Sequence, residues 1–226
     1  MLSASLRKAR IIAYVDGFNL YYSALKGTPY KWLDLERLFC LLFPRDDVVA
    51  IKYFTAKVKS RANDPDQPIR QALYLRALGT LPKVEIIYGT FLSHKTKMRL
   101  ANPKDPNNPF VWVIKTEEKG SDVNLATHLL YDAFVDAFDV AVVVSNDSDL
   151  LLPIQVVRKK LGKKVGLVGY DLALLKKFGR KKRHPNPQLH QSVDFYKTIR
   201  ESALRRSQFD PVLKDARGTF KKPRGW

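Results

Sequence analysis

Sulfur is scarce in this chain. Cys40 is the only cysteine, so an intramolecular disulfide is excluded and a cysteine-built zinc site has no basis. Its place inside "LFCLLF" predicts a thiol packed as a small hydrophobe. The four histidines, His94, His128, His184 and His190, show no HExxH or other close ligand spacing, which removes the usual histidine metal and triad chemistries. No apolar run approaches the roughly 20 residues that span a bilayer. The opening "MLSASLRKARIIAYVDG" lacks the order of a signal peptide, so a cytoplasmic protein without membrane attachment is expected. There is no internal repeat and no phosphate-binding loop of the GxxxxGK type.

Acid is also short relative to base. The 22 Asp and Glu face 40 Lys and Arg, a net charge of +18 that points to a polyanionic partner, nucleic acid ahead of an anionic membrane surface. The composition is otherwise that of a folded protein: 45% hydrophobic and 27% charged over 226 residues, enough for one buried domain and an appendage.

Short apolar runs alternate with helical patterns. "RIIAYVDG", "VVAIKYFTAKV", "KVEIIYGTFL", "VAVVVS" and a last "KVGLVG" predict strands; "LDLERLFCLLF", "PIRQALYLRALG", "SDVNLATHLLYDAF" and "DLLLPIQVVRKKLG" predict helices. Such alternation predicts an α/β fold in three layers, α/β/α, around a central, mainly parallel sheet. Residues 93–109 predict a long basic loop before the strand-like "FVWVIKT". The predicted domain covers residues 1–175. Residues 176–226 then predict a basic extension, with a helix over "HQSVDFYKTIRESALRR" and a frayed "GTFKKPRGW".

Open α/β sheets bind ligands beyond the carboxyl ends of their strands. Acids fall at such places. Asp16 ends the first strand, with Asn19 three residues on; Asp147 and Asp149 follow "VVVS"; Asp122 opens a helix behind Gly120. Each alone also reads as a cap or turn-former. Together, four carboxylates from three segments would repel one another unless a hard divalent cation, Mg²⁺ or Mn²⁺, sat among them. One such ion, or two, would activate water against a phosphodiester without help from histidine or cysteine.

The stretches "AYVDGFNLYY", "EEKGSDVNLATHLL" and "VVVSNDSDLLLPIQVVRKKLGKKVGLVG", in that order, resemble the NYN-domain family, in particular its LabA-like bacterial members within the PIN-like and FLAP-type nuclease group. The resemblance runs from residue 10 to about 170. It implies a metal-dependent ribonuclease. Carried over by motif, Asp16, Asp122 and Asp147 would be the principal metal carboxylates and Asp149 a further ligand or outer group. Asn19 would orient Asp16 or a metal-bound water, Ser145 would hold the acidic turn, and Lys119 would contact phosphate. Asn146 stands where relatives often have glycine, and is either a ligand or a substrate contact, or a tolerated substitute. Lys95, Lys97 and Arg99 in the loop, with Arg180, Lys181, Lys182 and Arg183 in the tail, are the expected RNA contacts. Tyr21, Tyr22 and Trp112 are candidates for stacking on unpaired bases, favouring single-stranded or loop RNA. Self-association is compatible with this reading. Two alternatives stand beside it: a non-catalytic RNA-binding scaffold, and a phosphatase of the haloacid-dehalogenase type, whose second aspartate would fall where Phe18 is.

Overall fold

Runs rich in β-branched and aromatic residues make the central strands: β1 (Arg10–Asp16), β2 (Asp47–Thr55), β3 (Val84–Tyr88), β6 (Val140–Val144), β7 (Lys164–Tyr170) and β8 (Phe195–Ile199). In this computed structural model, which describes residues 7–60, 62–179 and 186–226, they form one sheet in the order β3-β2-β1-β6-β7-β8. Every neighbouring pair is parallel. The expected α/β/α architecture is present.

Burial on both faces explains why β1 is apolar throughout rather than alternating. Ile11, Ala13 and Val15 join one core with Trp32, Leu38, Phe39 and Leu78, under α2 (Leu35–Leu42) and α3 (Gln67–Leu78). Ile12 and Tyr14 join the other, under α4 (Ser121–Phe134) and α5 (Leu151–Lys159). One charged network lies in that second layer. Lys52 donates to Asp132 at 2.6 Å, and the Tyr14 hydroxyl donates to the same carboxylate oxygen at 2.7 Å. Among the described residues, no helix is long and apolar enough to cross a membrane.

The chain departs from expectation in three places. Residues 93–109 are not one long loop: β4 (Thr90–Arg99) and β5 (Phe110–Lys119) pair antiparallel as a separate two-stranded arm, leaving only the tip irregular. The polar, basic side chains of β4 hid its alternation. "KVEIIYGTFL" is accordingly divided at Gly89 between β3 and β4.

The second departure is the C-terminal segment. "KVGLVG" is not the last strand, because β8 adds to the sheet where a helix was expected; in that stretch only Glu201–Arg206, and His190 and Gln191 at the end of the short helix Pro187–Gln191, are helical. Beyond it, β9 (Val212–Asp215) and β10 (Gly218–Lys221) form a hairpin held by Arg76 on Asp215, and Trp226 packs on Trp32 and Tyr74. The end is docked, not frayed. Its anchors Ile199, Leu204, Phe209 and Phe220 are buried but irregularly spaced among basic residues, which masks them in the sequence. The third departure is small: Cys40 faces solvent on α2.

Candidate functional site

β1 lies at the point where the strand order reverses, with β2 on one side and β6 on the other, and a parallel sheet opens a crevice at the carboxyl end of such a point. The register pairs Val15 with Val144, so the next residues, Asp16 and Ser145, come side by side. The Ser145 hydroxyl donates to Asp16 Oδ2 at 3.0 Å, and the Asn19 backbone N–H donates to Asp16 Oδ1 at 2.8 Å. Asp16 thus caps α1 (Gly17–Leu20) while 7% exposed. Gly17 follows because a Cβ there would meet the Tyr53 ring at 2.5 Å and the Phe54 carbonyl at 2.9 Å.

Ser145 also accepts from the Asp147 N–H at 3.2 Å, tying the turn after β6 to the strand end. Asp147 Oδ1 in turn accepts from the Asp149 N–H at 3.0 Å. The third acid arrives from the arm. Gly120, at φ +96°, takes the left-handed conformation that turns β5 into α4 and delivers Asp122 in the first helical turn. Gly120 and Gly89 lie side by side, so the two ends of the arm meet at its base.

Asp16, Asn19, Asp122 and Asp147 line one cleft of about 390 Å³, together with Glu118, Ser121 and the apolar Phe18, Tyr22, Val58 and Phe91. Burial pushes the Asp16 carboxyl up to about 6, the charges of Asp122 and Asp147 add to the rise, and its two hydrogen bonds oppose it. Asp122 is raised as well, by burial first and then by Asp147, Glu118 and Asp149. These acids act on one another through charge. Among the described residues, no three acids, histidines or cysteines are already gathered at metal-ligand spacing. The donors nonetheless suit a hard cation: carboxylates of mutually unfavourable charge, and beside them the buried Ser121 hydroxyl, which has no hydrogen-bond partner.

The remaining candidates distribute unevenly. Asp149 is exposed and stands outside the cleft lining. Asn146 turns to the C-terminal segment, its Oδ1 accepting from the Asn186 N–H at 2.6 Å, and lines a separate small cavity with Ser145 and Tyr170. Lys119 is not in the cleft; strand alternation sends Glu118 inward and Lys119 outward, where it pairs with Glu117 at 3.4 Å. Lys95 and Lys97 lie over the Trp112 ring, at 4.9 and 5.5 Å, and Arg99 stands opposite Phe110. All of these share the arm face that carries Phe91 and Glu118 into the cleft, since residues of one parity line one face. Arg180, Lys181, Lys182 and Arg183 lie outside the described residues.

Glu118 and Ser121 join the cleft wall although neither is marked as a site residue by the sequence. Glu118 precedes the KGSD motif and Ser121 lies within it, and the Ser121 N–H donates to Glu118 Oε1 at 3.1 Å. A second cavity adjoins the cleft and shares Phe18, Tyr22 and Val58 with it; Tyr53, Tyr74, Trp226, Lys31 and Arg70 complete most of its wall.

With the geometry in place, comparison with known proteins locates the chain. The sequence profile of the NYN domain matches residues 10–184. The chain belongs to the NYN-domain family. NYN domains are generally nucleases, and this one has their nuclease-like α/β/α fold. The chain is 36% identical over 179 residues to a protein of Pseudomonas putida named 6-hydroxy-3-succinoylpyridine 3-monooxygenase HspA. That match covers 69% of this chain and 57% of the relative's own length. Among solved structures, a protein of unknown function from Vibrio parahaemolyticus superposes with a TM-score of 0.49 at 20% identity, over 88% of this chain and 98% of that one.

Proposed function

We propose that this NYN protein is a metal-dependent ribonuclease that cuts RNA phosphodiesters endonucleolytically in the cytoplasm. The observation that carries the reading is the meeting of Asp16, Asp122 and Asp147, from three separate segments, in one cleft at the sheet's switch point. Mg²⁺ or Mn²⁺, one ion or two, would be held by these carboxylates, with the Ser121 hydroxyl and Glu118 in the same wall. Once bound, the ion supplies a polarised phosphoryl oxygen and a water acidic enough to attack. The chain's own part is to fix the acids: Ser145 and the Asn19 N–H hold Asp16, and Ser145 anchors the Asp147 turn.

An acidic cleft needs cations around it to admit RNA, and the arm provides them. Lys95, Lys97 and Arg99 share a face with Phe91, Phe110 and Trp112, the last of these 59% exposed. Alternating cations and rings of this kind suit unpaired bases on a charged backbone. Trp112→Ala is therefore expected to weaken binding of a single-stranded oligonucleotide by roughly tenfold or more. Lys95→Gln with Lys97→Gln should lower the slope of log affinity against log salt by about 1.4, at about 0.7 per lost phosphate contact on single strands. Fluorescence anisotropy at several salt concentrations checks both, and unchanged values would remove the arm from the RNA interface.

The direct test is cleavage of a labelled RNA with Mg²⁺, with Mn²⁺ and with chelator, in the wild type and in Asp147→Asn. Cleavage is expected only with metal and only in the wild type. Equal activity in the variant overturns the assignment of Asp147, and binding without cleavage in any metal leaves an RNA-binding scaffold. The haloacid-dehalogenase alternative gains nothing, because Phe18 places a ring in the cleft where that chemistry needs a second carboxylate.

A second reading draws on the aromatic cavity beside the cleft. The Pseudomonas relative is named for oxidation of a pyridine that carries a succinoyl group, a planar heterocycle with an acid side chain. On this reading the chain would oxidise such a compound with dioxygen and an external reductant. Oxygen uptake on adding a hydroxypyridine acid with NADH distinguishes it from hydrolysis.

A further inference from the structure

The second cavity has a lining of definite chemical character. Its walls are rings: Tyr22 from the π-helical turn Tyr21–Leu25, Tyr53 from β2, Tyr74 from α3, and the docked Trp226. Its volume is about 60 Å³. At roughly 10–15 Å³ per water, that is room for about four to six waters, the bulk of one six-membered ring with its substituents.

Two cations reach the cavity, and they differ. Arg70 is engaged by Asp64, at 2.5 and 2.6 Å. Lys31 spends one N–H on the Gly225 carbonyl at 2.7 Å and lies over the Trp226 ring at 5.8 Å, which leaves further donors on its ammonium. The charged groups acting on Lys31 are the cations Arg70 and Lys222, so an incoming anion would relieve rather than add to local repulsion. The polar wall is specific as well. Gln71 accepts from the Val58 N–H and donates one N–H to the Ala56 carbonyl, keeping its second amide hydrogen for a ring heteroatom.

We infer that this cavity binds one planar nitrogen heterocycle carrying an anionic group, the ring stacked among Tyr22, Tyr53, Tyr74 and Trp226 and the anion on Lys31. Two sources share that chemistry: the base of a nucleotide in a strand lying over the acidic cleft, or a free heteroaromatic carboxylic acid. The cleft and the cavity have a common wall in Phe18, Tyr22 and Val58, so either ligand would sit next to the carboxylates. Binding here does not depend on the hydrolytic reading of the cleft.

Isothermal titration of the full chain with uridine 5′-monophosphate, with pyridine-3-carboxylate and with ribose 5-phosphate tests this. The nucleotide or the pyridine acid is expected to bind, and which of them binds names the source, while the sugar phosphate stays silent. Lys31→Gln should weaken that binding at least roughly tenfold, as loss of a charge-assisted hydrogen bond does. Trp226→Ala should weaken it through lost stacking, and Trp226→Phe should largely restore it. The loss on Lys31→Gln should persist in an Asp147→Asn background, where cleavage is absent, which separates failure here from failure of the nuclease assignment. The inference is overturned if neither heterocycle binds at millimolar concentration, if ribose 5-phosphate binds equally, or if Lys31→Gln with unaltered thermal unfolding binds as the wild type does.

Discussion

Asp16→Asn is expected to abolish RNA cleavage, by at least roughly 100-fold, and at the same time to make the protein more stable at neutral pH. The loss follows from removing a carboxylate that a catalytic cation would need, at a site fixed by two hydrogen bonds. The gain follows from charge. The Asp16 carboxyl is pushed up to about 6 in the folded protein by burial and by neighbouring acids, against an ordinary 3.8. Because the value is raised, the native state prefers the protonated form. Below about pH 4 the group is protonated folded and unfolded alike and costs nothing; as pH rises through 6 its ionisation costs roughly 3 kcal/mol of stability. Asparagine keeps the cap and never carries the charge. Urea titrations from pH 4 to 8 without divalent ions should show wild-type stability falling across this window, with a shallower fall in the variant. Mn²⁺ should raise the wild-type melting temperature and have far less effect on Asp16→Asn. A variant that cleaves normally, or a wild-type stability flat from pH 4 to 7, would contradict the argument.

Lys52→Met should be strongly destabilising although Lys52 lies away from the cleft. The Lys52 and Asp132 side chains are 12% and 8% exposed, and they meet at 2.6 Å with the Tyr14 hydroxyl on the same oxygen. The pair as a whole need not add stability, since desolvation opposes its attraction. Breaking it is different. Methionine fills the space of the lysine stem but leaves the Asp132 charge buried without its cation, at a cost of about 3–5 kcal/mol. For a chain of this size that lowers the melting temperature by about 10 °C. Adding Asp132→Leu and Tyr14→Phe to Lys52→Met should recover most of the loss, because the layer is then uniformly apolar. A denaturation series over the single and triple variants measures this, and a neutral single substitution would show that water reaches the pair.

The sheet was legible because its strands are continuous apolar runs, which burial on both faces requires, and because Gly79 and the strand-end acids punctuate them. The grouping of Asp16 with Asp147 was readable for a related reason, since strand ends at a switch point converge, whereas Asp122, which follows the arm, was marked by its motif at a helix start. Side-chain direction was not readable. Whether Lys119 or Glu118 faces the cleft depends on the phase of β5, and one residue of shift exchanges them. Asn146 was undecidable because its partner, the Asn186 backbone, lies 40 residues away. The C-terminal segment escaped because its apolar anchors dock singly, onto surfaces made by distant elements.

The adjacency of Gly89 and Gly120 gives the arm the character of a cassette. Its 30 intervening residues leave the sheet and return at the same spot, so closing that loop more tightly would cost the domain little chain entropy. No strand of the six-stranded sheet lies between the two glycines. Asp16, Asp122 and Asp147 lie outside the hairpin, so exchanging it would keep these three acids while replacing Phe91 and Glu118 in the wall beside them.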